Sequence, residues 1–259
     1  NRVLGETMIK APLHVNIKAS LRELKDFFSQ YTFLGAPVTD DEGKLVGVIR
    51  SSSVREAANR QNNQLFLKFA GIVGGEESRN MSLFKRSSRR LSWLSINIVL
   101  NIIAASVIAL YQDTLEKAIV LAVFLPIISD MSGCSGNQAV AVSMRELSLG
   151  VIEPSDFYYV WRKEAVIGLI NGLVLGVLIA SVAWIWQGNA WLGLVVGAAL
   201  SINTLVAVSI GGTVPVLLKA VKVDPAVASG PILTTITDMC GFFLLLGTAS
   251  LMLPLLSAP

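Results

Sequence analysis

Long apolar runs fill most of the chain after residue 90, and they restrict its fold more than any other feature. A bilayer core about 30 Å thick is crossed by roughly 20 apolar residues in a helix. Five runs reach that length, and we predict transmembrane helices at residues 91–111, 115–144, 166–186, 191–218 and 231–256. Only 15% of the residues are charged, and most of these lie in the first 90 residues. The predicted fold class is an α-helical polytopic membrane protein with an N-terminal cytosolic α/β module.

The basic residues orient the predicted spans, because cytoplasmic loops are enriched in Lys and Arg. If the spans alternate, the loops on one side hold nine basic residues, namely Lys85, Arg86, Arg89, Arg90, Arg145, Arg162, Lys163, Lys219 and Lys222. The two loops on the other side contain only Lys117. We therefore expect a multi-pass protein of the cell membrane, with a cytoplasmic N-terminal part and the C-terminus outside.

Residues 1–60 have a short α/β pattern. Ser20 with Glu23 forms a capping-box signature that predicts the start of a helix, and Ser53 with Glu56 predicts another. Between them, GAPVTDDEGKLVGVIR indicates two strands joined by a turn at residues 40–43. We predict that residues 61–90 link this module to a pore domain at residues 91–259, with a short amphipathic helix at residues 62–70.

The stretch APVTDDEGKLVGVIRSSSV resembles a CBS motif, a regulatory module that usually works as a tandem pair. One copy is visible, so the resemblance implies that a second copy precedes Asn1 or comes from another chain. Many such modules bind adenine nucleotides through an Asp near the start of the final helix. Ser53 stands at that position, which argues against ATP binding.

The second apolar run, LAVFLPIISDMSGCSGNQAVAV, is interrupted by polar and small residues. Pro126 removes a backbone donor, which predicts a kink. Gly-rich backbone at membrane depth is tolerated where it is buried in protein or lines a water-filled cavity. We predict a broken helix that lines a pore, with lining residues Asp130, Gly133, Gly136 and Asn137; the alternative is close helix packing. For Gly168, Gly172 and Gly176 in the third span, we favour packing.

Asp238 is a carboxylate inside the fifth apolar run, TTITDMCGFFLLL. If the span begins near Gly230, Asp238 lies about 12 Å deeper, near the middle of the bilayer core. A charge there costs roughly 2.5–3.5 kcal/mol and usually faces a cavity or a partner; the alternative is a protonated or locally hydrogen-bonded structural Asp. Thr234 and Gly241 share its helix face, so a polar stripe is predicted through an apolar helix. Two copies across a two-fold axis would repel unless a divalent cation lay between them.

The segments LAVFLPIISDMSGCSGNQAVAVSMRELSLG and KVDPAVASGPILTTITDMCGFFLLLG resemble the MgtE-type magnesium channel family. The resemblance implies a homodimer that moves Mg²⁺ into the cytoplasm through an axial pore lined by the second and fifth spans. It implies Asp238 as the central pore ligand, with Thr234 and Gly230 one and two turns before it. It also implies a cytosolic region that binds Mg²⁺ and closes the pore. Asp224, Glu76, Glu77 and the acidic turn at residues 40–42 are the regulatory candidates.

The second span departs from the family's usual Gly-Met-Gly-Gly-Asn, because it contains Asp130, Met131, Ser132, Gly133 and Cys134. Likewise, Gly230 stands where some relatives have Asn. A thiol favours transition metals, so a carrier of Co²⁺, Zn²⁺ or Mn²⁺, with or without coupling to another ion, is an alternative. Cys134 as a small buried apolar residue is the competing interpretation.

A membrane-anchored CBS ligand sensor is a further alternative, although an anchor needs no carboxylate at mid-membrane. An enzyme is not expected, since the sequence has no HExxH motif and no convincing Ser/His/Asp set. The single His and two Cys argue against a zinc site. The modest net charge of +3, without a basic block interleaved with aromatics, argues against nucleic-acid binding.

Overall fold

The structure, a computed structural model, describes residues 8–9, 12–69, 71–72 and 80–256. The chain divides into two units, Asn1–Leu67 and Lys68–Pro259. The regulatory candidates Glu76 and Glu77 lie outside the described residues.

A three-stranded sheet organises the first unit. Strand β1 (Val15–Asn16) pairs in parallel with β2 (Gly35–Thr39), which pairs antiparallel with β3 (Leu45–Arg50). Helix α1 (Leu21–Gln30) connects β1 to β2, and α2 (Ser51–Phe69) follows β3 directly. The hairpin of β2 and β3 is the predicted one. Strand β1 is absent from the prediction because two residues give no alternation pattern.

The predicted start of α1 is confirmed. Ser20 is the N-cap: its Oγ accepts a hydrogen bond from the Glu23 N–H at 3.3 Å, and Glu23 Oε2 accepts one from the Ser20 N–H at 2.7 Å. Each residue therefore satisfies a backbone donor of the other, which fixes where the helix begins.

The turn between β2 and β3 is also confirmed. Asp40 Oδ1 accepts from the N–H groups of Glu42 at 3.1 Å and Lys44 at 2.8 Å. Gly43 has a φ of 78°, a conformation that glycine adopts without steric cost. The Asp41 carboxylate accepts hydrogen bonds from Lys18 and Asn16, which together hold its pKa below the usual range.

The expectations for the segment after β3 are wrong in two details. Helix α2 begins at Ser51 and not near Ser53, since the Ser51 N–H still donates to Leu34 O at the sheet edge and the chain turns there. The separate helix expected at residues 62–70 is the continuation of α2, which runs unbroken to Phe69. The sequence has no Gly or Pro between residues 51 and 69 to interrupt it.

Long helices build the second unit. Its described helices are α3 (Leu83–Leu110), α4 (Gln112–Lys117), α5 (Leu121–Leu149), α6 (Phe157–Gln187), α7 (Ala190–Ala220), α8 (Pro225–Leu251) and α9 (Leu253–Leu256). A 3₁₀ turn at Pro154–Asp156 precedes α6. The helices extend beyond the predicted spans because hydropathy marks only the apolar part of each.

In the described part of the chain, four segments are long and apolar enough to cross a membrane: Leu83–Leu110, Pro154–Gln187, Ala190–Ala220 and Ser229–Leu251. Helix α5 has 29 residues, but its polar residues set it apart from these four. An α-helical polytopic fold is confirmed. The second predicted span, at residues 115–144, stays a prediction that rests on the length of α5.

The prediction of a broken helix in the second span is wrong. Helix α5 is continuous from Leu121 to Leu149 and passes through Pro126, Gly133 and Gly136. Residues 112–117, just before it, form the separate α4. A continuous helix keeps its backbone groups hydrogen-bonded, which the membrane interior demands. Apart from the carbonyl that Pro126 leaves without a helical donor, this segment therefore does not provide the exposed carbonyls of a broken helix.

Helix α7 forms the centre of the second unit. In its most apolar stretch 61% of the residues are buried, against 11% in α3, so α7 is a core helix and α3 a peripheral one. The core side chains come mainly from α5, α7 and α8 and include Phe124, Ile128, Val196, Leu200, Leu245 and Leu246.

The glycines of the third span pack against α7, as predicted. Gly168, Gly172 and Gly176 are all buried on one face of α6. A Cβ on Gly172 would lie 2.4 Å from the Ser201 carbonyl oxygen, and one on Gly176 would lie 2.6 Å from that of Gly197. Small residues thus let the two backbones approach closely.

Candidate functional site

The centre of the candidate site is a contact between α5 and α8 at Asp238. The Ser129 hydroxyl on α5 donates a hydrogen bond to Asp238 Oδ1 on α8. One turn along α5, a Cβ on Gly133 would lie 4.0 Å from Thr237 Oγ1. The two predicted pore helices therefore lie side by side.

Asp238 is half-buried, and no salt bridge to it is present in the part of the chain that the structure describes. A buried carboxylate is costly unless it is paired or hydrogen-bonded. The hydrogen bond from Ser129 compensates for only part of that cost. Among the described residues Ser129 is its hydrogen-bond partner, so the Asp238 carboxyl oxygens have lone pairs left for a further ligand.

Thr234 and Gly230 lie one and two turns before Asp238 on α8, and all three are half-buried. The Thr234 hydroxyl donates to the Gly230 carbonyl oxygen at 3.1 Å, which leaves the lone pairs of the hydroxyl oxygen free to accept. A Cβ on Gly230 would meet no atom within 4 Å. This face of α8 is therefore open and lined with oxygen atoms.

The predicted lining residues of α5 fall into two groups. Asp130 and Asn137 are exposed, and Cys134 lies exposed between them at helical spacing. Gly133 and Gly136 face the neighbouring helices instead. The exposed group forms a polar stripe on a helix whose opposite face is packed into the core.

Gly136 lies in the helix packing. It is buried, and a Cβ there would be 2.9 Å from both the Ala207 carbonyl oxygen on α7 and a methyl carbon of Leu233 on α8. Across the contact, a Cβ on Gly211 would be 2.3 Å from the Gly136 carbonyl oxygen. Glycine at position 136 thus allows α5 to approach α7 closely. This is the helix-packing alternative to a pore lining.

Sequence reasoning missed two residues that support Asp238 and the turn before it, Ser129 and Asn203. Asn203 on α7 is fully buried, and its Nδ2 donates to the Thr237 carbonyl oxygen at 3.1 Å. That carbonyl precedes Asp238 directly, so α7 helps to fix this turn of α8. An isolated amide in the apolar run SINTLVAV was the available signal.

Asp224 lies at the start of α8, away from this contact along the helix. Its Oδ1 accepts from the Ala226 N–H at 3.0 Å and caps the helix, and its Oδ2 accepts from Lys68 Nζ at 2.6 Å. Lys68 belongs to the same unit as Asp224. In the described ranges, no three His, Cys, Asp or Glu side chains gather as a metal site.

Comparison with known proteins extends these observations. Residues 125–248 match the family model MgtE, described as a divalent cation transporter, and residues 4–60 match the CBS domain. The chain is 32% identical to the magnesium transporter MgtE of Bacillus subtilis, over 88% of the chain and 50% of that protein. Residues 125–248 thus form an MgtE-type domain.

Two further proteins named magnesium transporter MgtE agree with this assignment. That of Enterococcus faecalis is 30% identical over 96% of the chain and 54% of its own length. That of Thermus thermophilus is 28% identical over 96% of the chain and 56% of its length. The chain thus spans about half the length of the MgtE proteins it matches.

The MgtE match covers both helices of the candidate site, including Ser129 and Asp238. This match and the four long apolar helices together support a multi-pass membrane protein. The match at residues 4–60 likewise identifies the first unit as a CBS domain.

Proposed function

We propose that this chain moves Mg²⁺ into the cytoplasm through a pore lined by α5 and α8, and that cytosolic Mg²⁺ closes that pore. The observation that carries the proposal is Asp238 itself, which is half-buried and has no salt bridge within the described residues. It lies beside the open, oxygen-lined face of α8 in an MgtE-type domain. Mg²⁺ is the transported substrate here, and we propose no enzymatic activity. The names of the three relatives support this choice of ion.

The donor atoms suit Mg²⁺, which sheds water reluctantly and is usually held by one or two carboxylates and several waters. Asp238 supplies one carboxylate, and Thr234 adds a hydroxyl oxygen one turn away. A largely hydrated ion needs room for its waters. The absence of any atom within 4 Å of a Cβ on Gly230 provides open space on this face.

The exposed polar stripe of α5 supports a homodimer. Asp130, Cys134 and Asn137 would face lipid if α5 crossed the membrane alone, at a high cost for the charged Asp130. A second copy related by a two-fold axis would enclose the stripe in a water-filled path. The same operation brings two Asp238 carboxylates toward one ion. The orientation with the CBS module in the cytoplasm follows the basic loops.

The contacts of Asp224 suggest how closure depends on Mg²⁺. The Lys68 ammonium occupies Asp224 Oδ2, where a regulatory cation would bind. Mg²⁺ and Lys68 then compete for one carboxylate at the N-terminus of a pore helix. Both side chains are partly exposed, so exchange between the two partners is accessible.

Two substitutions should shift closure in opposite directions. Asp224→Asn keeps the cap on Ala226, because Asn caps as well as Asp, but removes the charge that attracts Mg²⁺. We expect the Mg²⁺ concentration for half-closure to rise several-fold. Lys68→Gln removes the competitor, and that concentration should fall. Flux measured against internal Mg²⁺ gives both values, and unchanged inhibition in Asp224→Asn would reject the role of Asp224.

Ser129→Ala tests the support of the pore carboxylate. A hydrogen bond to a charged group contributes about 1.5–3 kcal/mol, so losing the bond that positions Asp238 should lower Mg²⁺ flux at low Mg²⁺ about ten- to hundredfold. Ser132→Ala is the matched control, since Ser132 is buried on the same helix and its hydroxyl has no partner among the described residues. Equal fluxes in the two variants would show that Ser129 does not support Asp238.

Flux of Mg²⁺ into proteoliposomes, with Co²⁺, Mn²⁺ and Zn²⁺ as competitors, tests the proposal as a whole. Preferred transport of another ion would favour the carrier of different selectivity. Folded protein with no flux of any of these ions would favour the CBS ligand sensor.

A further inference from the structure

Cys134 and Asp130 form a pair of metal-ligating side chains that the proposed Mg²⁺ site does not use. The Cys134 Sγ atom lies 4.0 Å from Asp130 Oδ1, one turn apart on α5. Both side chains are exposed, so Cys134 is not the small buried residue of the competing interpretation. Asn137, one further turn along, continues the same exposed face.

The distance between the two atoms fits a shared metal ion. A metal about 2.3 Å from sulfur and about 2.1 Å from oxygen holds the two ligands about 3.6 Å apart in tetrahedral geometry. The observed 4.0 Å needs only a small rotation of exposed side chains to reach that value. A continuous helix under both residues keeps them one turn apart on the same side.

We propose that Cys134 and Asp130 bind a thiophilic divalent metal ion, of the Zn²⁺ and Cd²⁺ class, on the open face of α5. On binding, the thiol gives up its proton and a metal–thiolate bond forms, while Asp130 contributes a carboxylate oxygen and water fills the remaining positions. Mg²⁺ prefers oxygen ligands and leaves the thiol unused. The pair therefore binds soft divalent ions in preference to Mg²⁺.

The site lies beside the proposed ion path. Asp130 follows Ser129 directly, and Ser129 donates to Asp238 on α8. An ion held by Asp130 and Cys134 thus lies one residue along α5 from the side chain that contacts Asp238. We infer that it blocks Mg²⁺ flux, and this consequence rests on the proposed function.

Binding is tested with Cd²⁺ on the purified full chain carrying Cys240→Ala, which leaves Cys134 as the only thiol. We expect a cadmium–thiolate absorption band that saturates with Cd²⁺. The band should vanish in Cys240→Ala/Cys134→Ser, and Asp130→Asn should weaken Cd²⁺ affinity at least tenfold. The site would be overturned if Cd²⁺ gave no absorption band while Cys134 still reacted with an alkylating reagent. It would also be overturned if Asp130→Asn left the Cd²⁺ affinity unchanged.

Block is tested separately by Mg²⁺ flux in proteoliposomes. Cd²⁺ should inhibit Mg²⁺ flux through Cys240→Ala at the concentrations that fill the site. In Cys240→Ala/Cys134→Ser, the same Cd²⁺ concentrations should leave the flux close to that variant's own value without Cd²⁺. Cd²⁺ binding without Mg²⁺ flux in any variant would refute the proposed function and leave the metal site standing. Mg²⁺ flux without Cd²⁺ binding would refute the metal site and leave the proposed function standing.

Discussion

Replacing Asp238 by Asn is expected to reduce Mg²⁺ flux about ten- to hundredfold, because a charge-assisted contact contributes about 1.5–3 kcal/mol and each 1.4 kcal/mol is tenfold. Asn has nearly the same shape, and its Oδ1 still accepts the hydrogen bond from Ser129. The substitution therefore removes the charge of Asp238 without creating a cavity. The expected loss is specific to the attraction of a cation.

The measurement is Mg²⁺ flux into proteoliposomes with equal amounts of folded protein. Asp113→Asn is the matched control, since Asp113 is an exposed carboxylate on α4 and its loss changes the net charge equally. That variant should transport at close to the wild-type rate. Full flux through Asp238→Asn would take the ion path away from this face of α8 and leave Asp130 as the remaining predicted carboxylate.

Replacing Gly211 by Ala is expected to destabilise the membrane domain severely. The new Cβ would lie 2.3 Å from the Gly136 carbonyl oxygen, and the atoms it meets are backbone atoms that no side-chain rotation can move. Overpacking of a core typically costs about 1–3 kcal/mol, and a backbone clash lies at the upper end. Helices α5 and α7 must separate, which also displaces Ser129 from Asp238.

Thermal unfolding in detergent, followed by the yield of monodisperse protein, measures this effect. Gly230→Ala is the matched control, because its Cβ would meet no atom within 4 Å and alanine favours the helix by about 1 kcal/mol. Its unfolding temperature should stay the same or rise, whatever happens to its flux. A wild-type unfolding temperature for Gly211→Ala would show that α5 and α7 do not pack backbone to backbone there.

Several elements of this protein can be predicted from the sequence because they depend on interactions between residues close together in the chain. The capping box at Ser20 and the turn at Gly43 depend on residues within a few positions of each other, so their signals survive in one dimension. Apolar runs likewise predict the helices that cross the bilayer, since length and hydropathy are properties of a single segment. The prominence of Asp238 follows from the same reasoning, because a carboxylate in an apolar run is conspicuous without any structure.

The tertiary structure alone decided what each polar or small residue contacts. Gly133 and Gly136 have the same chemistry and lie three positions apart, yet only Gly136 is wedged against α7, because the helical rotation between them points Gly136 at a different neighbour. Likewise, Ser129 and Ser132 are alike in sequence, but only Ser129 meets Asp238. The partnership of Asp224 with Lys68 spans 156 positions along the chain and leaves no local pattern. Sequence periodicity fixes which residues share a helix face, whereas the packing of one helix on another decides which face becomes core and which stays open.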